Sequence, residues 1–147
     1  KLYALPEGAK VISVGTTSTR SLESLYYAGL QCYKDGVEEW VPRCVGQWDP
    51  YQENPDISTK ESIKSLLDYM EYNNLEILNL RTQIIIVPSY RFRVVDILVT
   101  NFHQPQSTLL LLISAFVGGE SWRDIYKFAM ENGFRFLSYG DSSMLVR

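Results

Sequence analysis

The sequence predicts an α/β or α+β domain with about three helices and a mixed sheet. Three observations carry that reading. Lys10 to Val14 is a β-branched run that ends at Gly15 and passes through a hydroxyl-rich turn into a helical pattern, which is half of a βαβ unit. Ser58 and Glu61 have the spacing of a capping box at the head of an amphipathic segment. Leu109 to Val117 is apolar all round, as in a helix buried on every side. A chain of 147 residues, 46% apolar, is long enough for one domain with a real core and too apolar to be disordered. Its longest nearly unbroken apolar run, Leu109 to Val117, falls far short of the roughly 20 residues of a membrane span.

Taken in order, Lys10 to Val14 reads as a buried strand. After Gly15-Thr16-Thr17-Ser18, the apolar positions Leu22, Leu25, Tyr26 and Gly29 recur at helical spacing, with Gly29 as the stop. Residues 30–57 hold Pro42, Pro50, Pro55, Gly36 and Gly46, so they read as loops around at most one strand. A helix follows from about Thr59 to Tyr72, with Ile63, Leu66, Leu67 and Met70 on one face and Asn73-Asn74 ending it. Gln83 to Val87 and Phe92 to Thr100 form a hairpin about Pro88-Ser89-Tyr90. Pro105 precedes Ser107, an N-cap for the Leu109–Val117 helix, which Gly118-Gly119 terminates. Ser121 and Asp124 open another helical pattern, with Trp122, Ile125, Phe128 and Ala129 inward and Gly133 as its stop. Phe134 to Tyr139 and Met144 to Val146 close the chain as two strands across Gly140-Asp141.

Charge and cysteine content exclude several classes. The formal net charge is −3, and residues 34–76 hold ten acids against four bases, so a whole-chain basic signature of nucleic-acid binding is absent. Local patches remain open, because fields act on patches rather than totals. Cys32 and Cys44 could form one disulfide, but two scattered thiols read rather as reduced cysteines of a cytoplasmic protein. One histidine, no Cys-x-x-Cys and no His-Glu-x-x-His leave no pattern for a metal.

Four places carry more polar chemistry than a core needs. Gly15, Thr16, Thr17 and Ser18 sit at a helix N-terminus, which is either a plain cap or a cradle for phosphate or carboxylate. Asp96 interrupts an apolar strand, sharing a face with Phe92, Val94 and Leu98. Its carboxylate is either paired with an arginine or a catalytic base. Arg91 and Arg93 flank Phe92 and form either an anion clamp or a solvated edge. Asn101-Phe102-His103 lies between a strand end and a helix start, where α/β folds place ligands, and any imidazole acid–base step must use His103. Ser18 or Ser107 as a triad nucleophile lacks an elbow motif.

Together these residues resemble a known family. Val14-Gly15-Thr16-Thr17-Ser18-Thr19-Arg20-Ser21-Leu22-Glu23-Ser24 is similar to the "VGTTSxRxLES" segment of the S-adenosylmethionine:tRNA ribosyltransferase-isomerases of queuosine biosynthesis. Tyr90 to Asp96, Thr100-Asn101-Phe102-His103, Pro105, Ser107 to Leu110 and Ser114-Ala115-Phe116 resemble its longest signature. Phe134-Arg135-Phe136 and Ser138-Tyr139-Gly140-Asp141 resemble "YRFxSYGDAM". The resemblance implies that residues 1–147 are the C-terminal part of the family's α/β barrel-like catalytic domain, without its β-barrel domain. Residues 49–82 are then a longer-than-usual insertion.

The resemblance implies transfer of the ribosyl group of S-adenosylmethionine to the aminomethyl group of a 7-deazaguanine base in tRNA. The sugar rearranges to give epoxyqueuosine, while adenine and methionine leave. S-adenosylmethionine is then a co-substrate, no cofactor or metal is permanently bound, and the partner is tRNA of the GUN-anticodon type, with no membrane. Asp96 and His103 are the expected proton-transfer groups. The expected substrate-binding positions are Gly15, Thr16, Thr17, Ser18, Arg20, Tyr90, Arg91, Arg93, Asn101, Phe102, Ser107, Thr108, Tyr139, Gly140 and Asp141. Departures stand at Val87 and Ser89, where the family has Tyr and Gly, at Gln104, where it has Leu, and at an extra residue in Ser138–Met144. A non-catalytic RNA-binding module, or a paralogue with another acceptor, is the competing expectation.

Overall fold

The computed structural model describes residues 1–104 and 107–147, so Pro105, read above as preceding a helix cap, lies outside the described residues. Two compact units are present: residues 1–9 with 21–84, and residues 10–20 with 85–147. One helix, α1 (Thr16–Asp35), contributes its first residues to the second unit and the rest to the first.

In the first unit α1 packs on α2 (Thr59–Tyr72). The capping box at Ser58 forms as expected: its hydroxyl accepts the Glu61 N–H at 3.1 Å, and a Glu61 carboxylate oxygen accepts the Ser58 N–H at 2.8 Å. The Ser58 hydroxyl also donates to that carboxylate at 2.6 Å, and this bond together with the Ser58 N–H holds the Glu61 carboxyl below its ordinary pKa. Ile63 and Leu66 are buried, whereas Leu67 faces outward, contrary to the periodicity reading. Gly29 does not stop α1. It lies inside the helix where α2 comes closest, and a Cβ there would run into the Ser62 carbonyl and hydroxyl. The Ser62 hydroxyl donates to the Tyr26 carbonyl at 2.6 Å, tying the helices at that point. The helix ends at Gly36, whose φ of +87° suits a residue without a Cβ and whose N–H bonds the Cys32 carbonyl.

The second unit is built on a sheet of order β1-β2-β3. β1 (Ile12–Val14) pairs in parallel with β2 (Ile97–Asn101), and β2 pairs antiparallel with β3 (Ser142–Val146). Ser13, Leu98 and Leu145 form its buried face. α3 (Leu109–Val117) packs against β3 and against α4 (Ser121–Glu131).

Several expectations are corrected here. The sheet is open, with three strands among the described residues, and does not close into a barrel; the described residues hold four α-helices rather than three. Gln83 to Asp96 forms no hairpin strands. Ile84, Ile86, Phe92, Val94 and Val95 are buried by side-chain packing, so the apolar run satisfies its hydrophobicity without a ladder. Phe134 to Tyr139 is a turn, because Leu137 takes φ +70° and breaks an extended path. α3 is not buried all round, since Leu111 is exposed, and α4 buries Tyr126 and Ala129 while Phe128 points out.

Candidate functional site

The parallel pair β1-β2 defines an edge where both strands end, the position where open α/β sheets place ligands. Three chain segments meet along it: the start of α1 after β1, the Asn101–His103 segment after β2, and the loop before β3. Gly15 makes the first turn. Its φ of +89° is open to glycine, and its N–H bonds the Val99 carbonyl at 2.8 Å, fastening the helix start to β2. The Gly15 carbonyl accepts both the N–H and the hydroxyl of fully buried Thr19, each at 3.1 Å, and that hydroxyl shares a 2.9 Å hydrogen bond with Ser13. Thr16 is buried here, whereas Thr17 and Ser18 are exposed.

Next to it, β2 ends in a polar and aromatic knot. Buried Phe102 stacks edge-on with Tyr126 and Phe134, and its backbone bonds Asp141 and Leu137. The Asn101 amide donates to the Gly140 carbonyl and the Ser142 hydroxyl, both at 3.4 Å. His103 is held twice: its backbone N–H donates to the Tyr126 hydroxyl at 3.0 Å, and its Nε2 shares a 3.1 Å hydrogen bond with the Thr100 hydroxyl. Burial pushes the imidazole below its ordinary pKa of 6.5. At neutral pH the ring is therefore uncharged and able to accept a proton.

The loop before β3 is closed by Asp141. Its carboxylate accepts the Arg135 N–H at 2.7 Å and the Arg135 guanidinium at 3.3 Å, which hold its carboxyl below the usual carboxylate range. Both oxygens are thus engaged in shaping the loop. Gly140 is required there, since a Cβ would collide with the Arg135 carbonyl, and Tyr139 is almost fully exposed beside it. The N-cap of α3 is Thr108 rather than the expected Ser107, and it makes no side-chain cap; the Ser107 hydroxyl, one residue earlier, accepts the Leu109 N–H at 3.2 Å.

Thus Gly15, Thr16, Thr17, Ser18, Asn101, Phe102, His103, Tyr139, Gly140 and Asp141 come to one edge. Asp96 does not. It precedes β2, so five strand residues separate it from the other end, about 17 Å at strand rise. Nor is it buried with an arginine: it is about one-third exposed, accepts the Val11 N–H at 2.9 Å and pairs with Lys10 at 3.2 Å. Tyr90, Arg91 and Arg93 belong to the same far side, flanking or touching Phe92, whose ring lies 4.9 Å from the guanidinium of Arg147, the residue after β3. Arg20 is exposed on the second turn of α1. Sequence reasoning missed Thr100 and Tyr126. Thr100 stands three residues before His103, a spacing that was readable, whereas Tyr126 comes from another helix and had no local signal. A cavity of about 320 Å³ lined by Gln31, Lys34, Arg43 and Asp49 lies in the first unit and contains none of these residues. Among the described residues no group of three or more metal-ligating side chains occurs, and no helix is long and apolar enough to cross a membrane.

A family model described as queuosine biosynthesis protein matches residues 3–146. An S-adenosylmethionine:tRNA ribosyltransferase-isomerase of Agrobacterium fabrum is 62% identical over 66 residues, 45% of this chain and 18% of that protein. One from Ralstonia pickettii is 38% identical over 140 residues, 95% of this chain and 27% of that protein. The crystal structure of the S-adenosylmethionine tRNA ribosyltransferase of Thermotoga maritima aligns with a TM-score of 0.58 at 25% identity, covering 95% of this chain and 34% of that one. The chain therefore spans about a third or less of the length of the relatives it matches, and across nearly all of its own length it belongs to the queuosine biosynthesis protein family.

Proposed function

We propose that the full-length protein is an S-adenosylmethionine-dependent tRNA-modifying transferase and isomerase, and that this chain contributes the edge bearing His103. The observation that carries the reading is the uncharged imidazole of His103, its ring bonded to Thr100 and its backbone N–H to Tyr126, at the edge where the parallel strands end. In the finer reading, ribosyl moves from S-adenosylmethionine to the 7-aminomethyl-7-deazaguanine base of tRNA and rearranges to epoxyqueuosine. That chemistry needs a base for a proton beside the sulfonium, an acid for departing adenine, and donors for the methionine carboxylate. A neutral His103 suits the base. The N–H groups at the start of α1, with the dipole behind them, suit a carboxylate. Exposed Tyr139 and Arg20 are available to substrate or tRNA.

Full-length protein incubated with S-adenosylmethionine and tRNA carrying the 7-deazaguanine precursor is expected to release adenine and yield modified tRNA. His103→Ala should cut turnover by the ~10²–10⁴-fold typical of losing an acid–base group. Absence of adenine release would overturn the catalytic reading, and adenine without modified tRNA would point to another acceptor. The 147-residue chain alone is expected to bind tRNA weakly, because a net charge of −3 gives little attraction to phosphate.

A further inference from the structure

Of the two ring nitrogens of His103, only Nε2 is engaged. It shares its 3.1 Å hydrogen bond with the Thr100 hydroxyl, while Nδ1 has no hydrogen-bonding partner among the described residues. Nor is Nδ1 closed off from solvent, as the orphaned indole nitrogen of Trp40 is. The partner of Nε2 is itself firmly placed. Thr100 is buried in the central strand β2 opposite Ser143, and its carbonyl accepts the Ser143 hydroxyl at 3.2 Å. The His103 backbone is pinned separately, by the hydroxyl of buried Tyr126. A ring held at Nε2 and at its own backbone N–H keeps one nitrogen for the protein and leaves the other for a ligand. Which nitrogen of a neutral imidazole carries the hydrogen is set by the hydrogen bond at the opposite position.

We propose that Thr100 is the positioning residue of His103: its hydroxyl oxygen accepts Nε2–H, which fixes the tautomer and leaves bare Nδ1 as the nitrogen that takes the substrate proton. The inference rests on the reading of His103 as a base. In that step the C–H bond beside the sulfonium breaks and its electron pair stays on carbon. The proton forms Nδ1–H, and the ring becomes an imidazolium whose Nε2–H still rests on Thr100 Oγ1. The bond at Nε2 is the same before and after, so no partner has to reorganise. The reverse arrangement, a Thr100 hydroxyl donating to bare Nε2, puts the hydrogen on Nδ1 and makes the open nitrogen a donor instead of a base.

The chain has a single histidine, so the imidazole nitrogen-15 spectrum of the labelled 147-residue protein reads His103 alone. At about pH 7.5, above the ordinary pKa of histidine, hydrogen on Nε2 and a bare Nδ1 are expected. Thr100→Ser should give the same pattern, whereas Thr100→Val, which keeps the shape and loses the hydroxyl, should give a mixture of tautomers. Hydrogen on Nδ1 in the unsubstituted chain would overturn the proposal, as would an unaltered spectrum in Thr100→Val. In the full-length protein Thr100→Val is expected to lower kcat for adenine release about 10–100-fold, with KM for S-adenosylmethionine little changed. Thr100→Ser should recover most of that loss. Equal losses in both variants, in step with Tm, would make Thr100 a residue of the frame and overturn the proposal. The spectrum needs no turnover, so the assignment of the nitrogen stands or falls separately from the reading of the activity.

Discussion

Replacing Asp96 by asparagine separates structure from chemistry at the one carboxylate that interrupts the apolar run before β2. In the folded protein its two oxygens accept the Val11 N–H and pair with Lys10, next to the first residue of β1. Neighbouring backbone groups reinforce the same joint, since the Asp96 and Ile97 N–H groups both donate to the Val11 carbonyl. The ion pair is largely solvated, with side chains 62% and 35% exposed, so its loss costs at most about 1 kcal/mol. The backbone N–H to carboxylate bond is worth about 1.5–3 kcal/mol, of which a neutral amide oxygen keeps about 1. Asp96→Asn should therefore destabilise the chain by about 1–2 kcal/mol, a fall in Tm of about 2–8 °C at this length. Asp96→Ala should cost more. Thermal melts of the chain and adenine release by the full-length variant are the two readouts, and turnover is expected to fall only as folding does. An unchanged Tm with a 100-fold loss of turnover would refute this reasoning and return Asp96 to the chemistry.

Three further outcomes are expected. Ser89 sits at φ +86° in a turn where Pro88 comes first and the Tyr90 N–H bonds the Val87 carbonyl at 3.0 Å, so glycine suits the position better. Relief of about 1–2 kcal/mol of left-handed strain, less the greater chain entropy of glycine, should make Ser89→Gly about 0.5–1 kcal/mol more stable in a urea titration. Gly29→Ala should destabilise by about 1–3 kcal/mol in the same assay, because the Ser62 backbone cannot yield to a Cβ, although helix propensity alone predicts the opposite sign. His103 has a folded pKa below its unfolded 6.5, so between those values the unfolded chain binds more protons and stability rises with pH. Above 6.5 its contribution is fully present, and it is lost as pH falls through the folded pKa. His103→Gln should remove that slope when unfolding free energies are compared across about pH 5 to 7.5.

What was legible in the sequence was what is decided locally. Ser58 and Glu61 cap α2 with bonds only three residues apart, and α3 and α4 begin at Leu109 and Ser121, although their N-caps are Thr108 rather than Ser107 and Glu120 rather than a hydroxyl residue. A strand depends on a partner that local pattern does not name. Ile84, Ile86, Val94 and Val95 have the composition of strands and the burial of strands, yet no ladder reaches them. Gly29 shows the same limit: a stop and a helix crossing both call for glycine, and only the position of Ser62 tells them apart. At the candidate site, the Gly15 turn and His103 stand out in the sequence as polar positions, and the structure puts both at the same end of the parallel pair. That Asp96 lies at the opposite end of β2 was not legible, because a run read as one strand from Phe92 to Thr100 says nothing about which end meets the ligand edge.

The long signature from Tyr90 to Phe116 mixes two kinds of residue, and the structure sorts them by what their polar atoms already hold. Phe92 is stacked between Tyr90 and Phe116 and covered by Arg147. Asp96 fastens β1 to β2, and Phe102 anchors the loop before β3. These residues have packing or hydrogen-bonding duties that account for their chemical type without any ligand. His103 differs. Its backbone N–H and Nε2 have partners, but those partners position a neutral ring and do not require an imidazole in particular; a packing role alone would be met by many side chains. An ionisable group kept uncharged by burial at the end of parallel strands is a poor choice for stability and a good one for proton transfer. The discriminating comparison is therefore His103→Gln, which keeps a hydrogen-bonding side chain of similar reach, in the full-length protein. An adenine-release rate that tracks the Tm would make His103 one more element of the frame. A rate reduced about 100-fold at unchanged Tm would identify it as the group that handles the proton.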